Sequence, residues 1–410
     1  MRLILVATLL PWLGAQDFHL QPNDTVVFYG DSITDQRLYT AFVETFVLTR
    51  FPQTPVRFVH SGWGGDRVSG GAGGTINERL ARDVFPYQPT VVTIMLGMND
   101  GRYRPYEDQI YQAYSSGYER MLDLIKAGAP QARLTLIQPS PYDDVTRAPT
   151  FPEGYNSILL RFSAFVRELA QRQGHHTADL NTGVAAMLRR AYGTNPALAQ
   201  RIIPDRVHPG PSGHLVMALE LLKAWGAPPV VSAVEIDAAK REAVFTKNTA
   251  ITNLKREGAG WTWMQQDQAL PMPLPDATAE TKLAASCSDF WKFNQQWLKI
   301  TGLAGDFTLK ISGLKVGDFT GTQLAEGINL AELDTPMMRQ AAIVHSLTVK
   351  RTNVHQIRWR QIQMPFEKEG FARLPALLSQ LDALDADLEL RQRNNARVPA
   401  VYYELVPVRK

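Results

Sequence analysis

Five short β-rich runs, separated by stretches whose apolar residues recur at helical spacing, fill the first half of this chain. The runs are Thr25–Tyr29, Val56–His60, Thr90–Leu96, Arg133–Ile137 and Thr177–Leu180. Between successive runs lie the helical patterns Arg37–Arg50, Thr75–Phe85, Tyr106–Ala127 and Ser157–Gln173. The third run is nearly continuous in apolar residues, as a strand covered on both faces must be. Strands joined by helical crossovers give a parallel sheet with helices on both sides, a doubly wound α/β domain that closes with the helix after Pro211. In such sheets ligands gather beyond the carboxyl ends of the strands.

The chain has 410 residues, more than the ~100–200 of one average domain, and its pattern changes after Pro228. Val234–Glu257 reads as a helix, and Trp261–Pro275 is aromatic and proline-rich. Leu298–Gly302 and Asp306–Ser312 read as strands joined by a tight glycine-containing turn, while Thr335–Gln361 and Pro375–Arg393 are helical patterns. The division expected is therefore an α/β domain over 16–228 and an α+β or helical extension over 229–410. Lys350, Arg351, Arg358 and Arg360 read as a solvated helix face. At the N-terminus, Met1-Arg2 precedes the apolar stretch Leu3–Ala15, the pattern of a secretory signal over 1–15 and too short to span a bilayer. That predicts a secreted or periplasmic protein without stable membrane insertion. A net charge of only +3, with no basic cluster, excludes nucleic acid as an expected partner. The single cysteine, Cys287, excludes an internal disulfide and a cysteine-rich zinc site.

Chemistry-bearing residues stand at the strand ends. Tyr29-Gly-Asp-Ser-Ile-Thr34 follows the first strand and puts Ser32 at a strand-to-helix turn, where a serine serves either as a helix cap or as a nucleophile. A nucleophilic hydroxyl needs a base and a set of oxyanion donors. Pro204-Asp-Arg-Val-His208 offers Asp205 and His208 on one loop, as a carboxylate and the imidazole it would orient, or simply as a surface turn. Asn99, in Leu96-Gly-Met-Asn-Asp100, can aim an amide into the same region, and the glycines of Gly62-Trp-Gly-Gly65 allow a bare backbone N–H to approach a substrate oxygen. Neither Gly-Lys-Ser/Thr nor Gly-x-Gly-x-x-Gly follows the first strand, which argues against nucleotide binding.

Taken together, these four segments resemble the SGNH hydrolases, also called the GDSL esterases and lipases. Gly30-Asp31-Ser32 is similar to the first block of that family, Gly65 to the second, Gly97-x-Asn99-Asp100 to the third and Asp205-x-x-His208 to the fourth. The resemblance spans residues 24–226 and implies a five-stranded, flavodoxin-like hydrolase domain. It implies Ser32 as nucleophile, His208 as base and Asp205 as its orienter, with an oxyanion hole from the Ser32 and Gly65 backbone amides and the Asn99 side chain. Ile33 stands where the family name has Leu, and His60 where the second block often has Asn. Gly62 and Gly64 neighbour Gly65, which fits the family spacing best. The second half resembles the extension of some bacterial members, including Gly327-Ile-Asn-Leu-Ala and Thr335-Pro-Met.

The expected reaction is hydrolysis of a carboxylic ester through an acyl-enzyme, with no metal or cofactor. An O-acetylated glycan or other small ester is the expected partner, with Asp31, Trp63, Tyr142 and Arg147 as substrate-side candidates near Asp143 and Asp144. A lipase or thioesterase is the alternative within the class, and a carbohydrate-binding or O-acyl-transfer protein the alternative outside it.

Overall fold

The computed structural model describes residues 18–274, 276 and 278–408. The signal-like residues 1–15 lie outside them. All five expected strands are present as β1 (Thr25–Gly30), β2 (Arg57–Gly62), β3 (Val91–Met95), β4 (Arg133–Gln138) and β5 (His176–Asp179). They pair in parallel in the order β2-β1-β3-β4-β5. Every residue of β3 is buried, as its apolar run requires. Seven helices join or flank the strands: α1 (Leu38–Arg50), α2 (Ile76–Asp83), α3 (Asp108–Gly128), α4 (Tyr155–Gln173), α5 (Leu180–Thr194), α6 (Pro196–Ile202) and α7 (Pro211–Ala224). The connections leave β1 and β3 toward opposite edges of the sheet, so a crevice opens beyond their carboxyl ends.

The extension differs from its expected form. The segment 234–257 is not helical. It forms the strands Val230–Asp237, Glu242–Lys247 and Thr249–Glu257, turning where Arg241 and Asn248 adopt positive φ. Ser232, Val234 and Ile236 are buried at a period of two, and the charged strands after them are largely exposed. Two sheets result. One is antiparallel in the order Thr249–Glu257, Gly260–Asp267, Val401–Pro407, Asp306–Ile311, Leu314–Thr320. The other runs Ile328–Asn329, Gln295–Thr301, Val230–Asp237, Glu242–Lys247. They enclose a common core that includes Ile236, Trp263, Leu298, Leu309 and Tyr403. The expected hairpin between 298 and 312 is therefore two strands in two sheets, and Gly302 and Gly305, at φ +78° and +96°, let the chain cross between them.

Two parts of the extension return to the α/β domain. Helix α8 (Ala279–Ser286) and the turn after it bring Leu283, Ala284, Phe290 and Phe293 into the α/β core, together with the buried Cys287. Helices α9 (Pro336–Gln356) and α10 (Leu374–Ala396) pack against each other, and α9 covers α1. As a result α1 is buried from Tyr39 to Arg50. His345 stacks on Phe42 at 4.4 Å, and Arg351 donates to the buried Glu44 at 3.1 Å. Burial would raise the Glu44 carboxyl, yet hydrogen bonds from His60, Arg351 and Gln392 hold it below its ordinary value. Three of the four cations expected on a solvated face are thus paired. Arg351 meets Glu44 and Asp385, Arg358 meets Asp382, and Arg360 meets Asp35. Lys350 alone is exposed.

Candidate active site

The crevice at the β1/β3 switch point is walled by a turn that the sequence makes tight. After Gly30, the buried Asp31 accepts from Ile33 N at 3.0 Å and caps a single helical turn, Ser32–Asp35. A Cβ on Gly62 would lie 2.2 Å from Asp35 N, so only glycine at the end of β2 lets that turn sit there. Ser32 is left partly exposed at the head of the turn.

The loop before α7 brings the other groups. Asp205 Oδ1 accepts from the Val207 and His208 amides at 2.9 and 2.7 Å, and Asp205 Oδ2 accepts from His208 Nδ1–H at 2.7 Å. Some burial works against the charged carboxylate, but these hydrogen bonds prevail and hold Asp205 below the usual carboxylate range. With Nδ1 donating, Nε2 is free to accept from Ser32 Oγ, 2.8 Å away. Arg147 fixes this loop from outside. It donates to the carbonyls of Gln200, Ile203 and Pro204 and to Asp143, so its guanidinium is committed to the protein.

On the opposite wall, Asn99 Nδ2 donates to the Asp66 carbonyl at 3.0 Å, and Asn99 Oδ1 accepts from Tyr103 OH at 3.1 Å. One Nδ2 hydrogen remains for a ligand. Gly64 N–H is taken by Asp35 Oδ2 at 3.2 Å. Gly65, at φ +79° with open space where a Cβ would stand, is exposed and follows that anchor. His60, the departure in the second block, points into the interface instead, between Thr40 at 2.7 Å and Glu44 at 3.1 Å.

Of the substrate-side candidates, Asp31 is buried beneath Ser32 and Tyr142 is 8% exposed against Tyr155. Trp63 stacks under Arg360. Burial pushes the Asp31 carboxyl up to about 7, and Asp100 behind Asn99 likewise. Tyr103 was not legible as a site residue, because a solvent-facing tyrosine in a turn carries no periodic signal. Its positive φ of 56°, next to Arg102 at 57°, marks a strained turn of the kind found at functional sites. Among the described residues no group of three or more His, Cys, Asp or Glu could hold a metal ion.

A parallel α/β sheet with Ser, Gly, Asn and His blocks at its carboxyl edge defines a hydrolase class. Residues 28–216 match the GDSL-like lipase/acylhydrolase family, and this domain is that of an SGNH hydrolase, a carboxylic ester hydrolase. An acetylxylan esterase of Geobacillus stearothermophilus is 25% identical over 228 residues, 50% of this chain and 94% of that protein. A solved structure of a gut microbial diltiazem-metabolizing enzyme is 27% identical, covers 96% of this chain and 100% of its own, and superposes with a TM-score of 0.82. The extension is therefore part of an architecture that the two proteins share over 96% of this chain. A solved acetylxylan esterase from Geobacillus stearothermophilus is 23% identical over 52% of this chain and 97% of its own, with a TM-score of 0.41.

Proposed function

We propose that the protein is a serine esterase that removes short acyl groups, O-acetyl on a carbohydrate foremost, through an acyl-enzyme at Ser32. The observation that carries this reading is the continuous relay Ser32 Oγ, His208, Asp205 at 2.8 and 2.7 Å. In the proposed reaction Ser32 Oγ attacks the ester carbonyl while His208 Nε2 takes its proton. The oxyanion is held by Ser32 N–H, Gly65 N–H and Asn99 Nδ2. The imidazolium, steadied by Asp205, then protonates the leaving alcohol. Water, deprotonated by His208, releases the acid and restores Ser32.

A carbohydrate ester is favoured because the rims of the crevice, Gly65, Arg102 and Tyr103, are exposed, which suits a bulky polar alcohol. The acetylxylan esterase relative supports the same choice. The apolar groove lined by Phe366, Phe371 and Leu374 belongs to the α9–α10 hairpin and not to Ser32. The test is hydrolysis of acetylated xylan and a chromogenic ester series, by wild type and Ser32→Ala. Acetyl should exceed octanoyl, and Ser32→Ala should lose both turnover and labelling by a fluorophosphonate. Preference for long chains would move the reading to a lipase, and labelling of folded Ser32→Ala would displace Ser32. Export is part of the proposal, on the apolar run Leu3–Ala15. N-terminal sequencing of the exported protein should find that run removed, and an intact run would refute it.

A further inference from the structure

We infer that Arg360, delivered by the C-terminal helical hairpin, is a positioning residue for the oxyanion loop of the α/β domain. The inference rests on the reading of Ser32 and Gly65 given above. Helix α9 continues at Ile357 into a π-helical turn, Ile357–Gln363, a rare geometry that recurs at functional sites. Arg360 Nη1 lies 3.0 and 3.1 Å from the two oxygens of Asp35, a residue 325 positions earlier. Asp35 closes the helical turn that begins with Ser32, and its Oδ2 takes the Gly64 N–H at 3.2 Å. One carboxylate thus ties the nucleophile turn to the residue before Gly65, and Arg360 supplies its nearer counter-charge, Arg37 lying 3.7 Å from it.

The same π-helical turn holds the loop from two more sides. The Arg360 guanidinium lies 3.4 Å over the ring of Trp63, the residue before Gly64. Trp359 is buried, meets Trp63 edge-on at 5.8 Å and donates from Nε1 to Asp83 at 2.8 Å. Asp83 pairs with the fully buried Arg79, which holds Asp66 at 2.6 Å. The Asp66 carbonyl accepts from Asn99. Consecutive residues of the hairpin therefore grip both flanks of Gly65, one through Asp35 and Gly64, the other through Asp83, Arg79 and Asp66. Gly65 itself adopts φ +79°, with nothing within 4 Å of where a Cβ would stand, so its direction follows from these flanks. A donor misplaced by ~1 Å costs on the order of 100-fold, and loss of one brace should misplace it partly.

The test uses the full chain with a chromogenic acetyl ester, reading kcat, KM, the rate of fluorophosphonate labelling and thermal melting. Arg360→Met should lower kcat and labelling by roughly tenfold or more, with KM within about twofold, because oxyanion donors act in the transition state. Arg360→Lys should recover part of the loss, since one nitrogen makes both contacts. Arg358→Met, which breaks only the pair with Asp382 and Gln363, should match wild type. Should Arg360→Met fail to fold, Trp359→Phe, which replaces the indole by a smaller ring and removes the N–H that Asp83 accepts, carries the test with an expected fall in kcat. Wild-type kcat in Arg360→Met, a change confined to KM, or an equal loss in Arg358→Met would overturn the inference. Activity surviving in Ser32→Ala would instead overturn the reading beneath it.

Discussion

Tyr103 holds Asn99 by its acceptor end, hydroxyl to Oδ1 at 3.1 Å, while the donor end of the same amide is pinned on the Asp66 carbonyl at 3.0 Å. Held at both ends, the amide has one N–H left to donate, and in the proposed reaction it would not have to reorganise as charge develops. Asn99→Ala should lower kcat by roughly 100-fold or more. Tyr103→Phe keeps the ring and removes one hydrogen bond worth about 1 kcal/mol, so roughly a fivefold loss in kcat is expected. Steady-state kinetics on an acetyl ester measures both, and an unchanged Asn99→Ala would remove that side chain from the proposed oxyanion hole.

The glycines of the second block should differ sharply in tolerance. A Cβ on Gly62 would meet Asp35 N at 2.2 Å, whereas one on Gly64 would find its nearest neighbour at 3.8 Å. Gly62→Ala must push the Ser32–Asp35 turn off β2 and should lose stability and activity together. Gly64→Ala should fold with a melting temperature close to wild type. Thermal melting of both variants, compared with activity, decides the point, and equal tolerance would contradict the packing described.

Buried carboxyls make stability depend on pH in an unusual direction. Burial raises Asp100 from 3.8 to about 7, so the folded chain holds this proton more tightly than the unfolded one. Its contribution is complete below pH 3.8 and is lost as pH rises to about 7. Asp31 behaves alike. Asp100→Asn keeps the oxygen that accepts from Val68 N but cannot ionise. Between about pH 5 and about pH 7.5 its melting temperature should therefore fall less than that of wild type. Scanning calorimetry at the two values provides the check, and an identical fall in both proteins would exclude Asp100 as the source.

Arg79 is fully buried between Asp66 and Asp83, with Ser61 O as a further acceptor. Burial disfavours its charge, but Tyr29, Asp83 and Asp66 keep it firmly protonated. Removing one partner of a buried ion pair strands the others, at a cost of about 3–5 kcal/mol. Arg79→Met should show a loss of this size in chemical denaturation, and a loss under about 1 kcal/mol would mean that water reaches the site.

The five strands and the order of the four blocks were legible because each rests on local pattern. A fully buried parallel strand such as β3 must be continuously apolar, and the turn after it must carry whatever faces the crevice. Asp205-x-x-His208 is read the same way, since both residues share one loop. The extension was harder. Glu242–Lys247 and Thr249–Glu257 are largely exposed, so no buried face imposes a period of two on their sequence, and pairing with neighbouring strands sets their form. Glu44 looks like a surface residue of α1 until α9 covers it with Arg351, 307 positions away. Arg360 reads as one more cation on a solvated face until the docked hairpin sets it on Asp35 and Trp63. The sheet and its motifs thus follow from the order of residues along the chain. The bracing of the crevice by the second half comes from contacts between distant segments, which no local periodicity encodes.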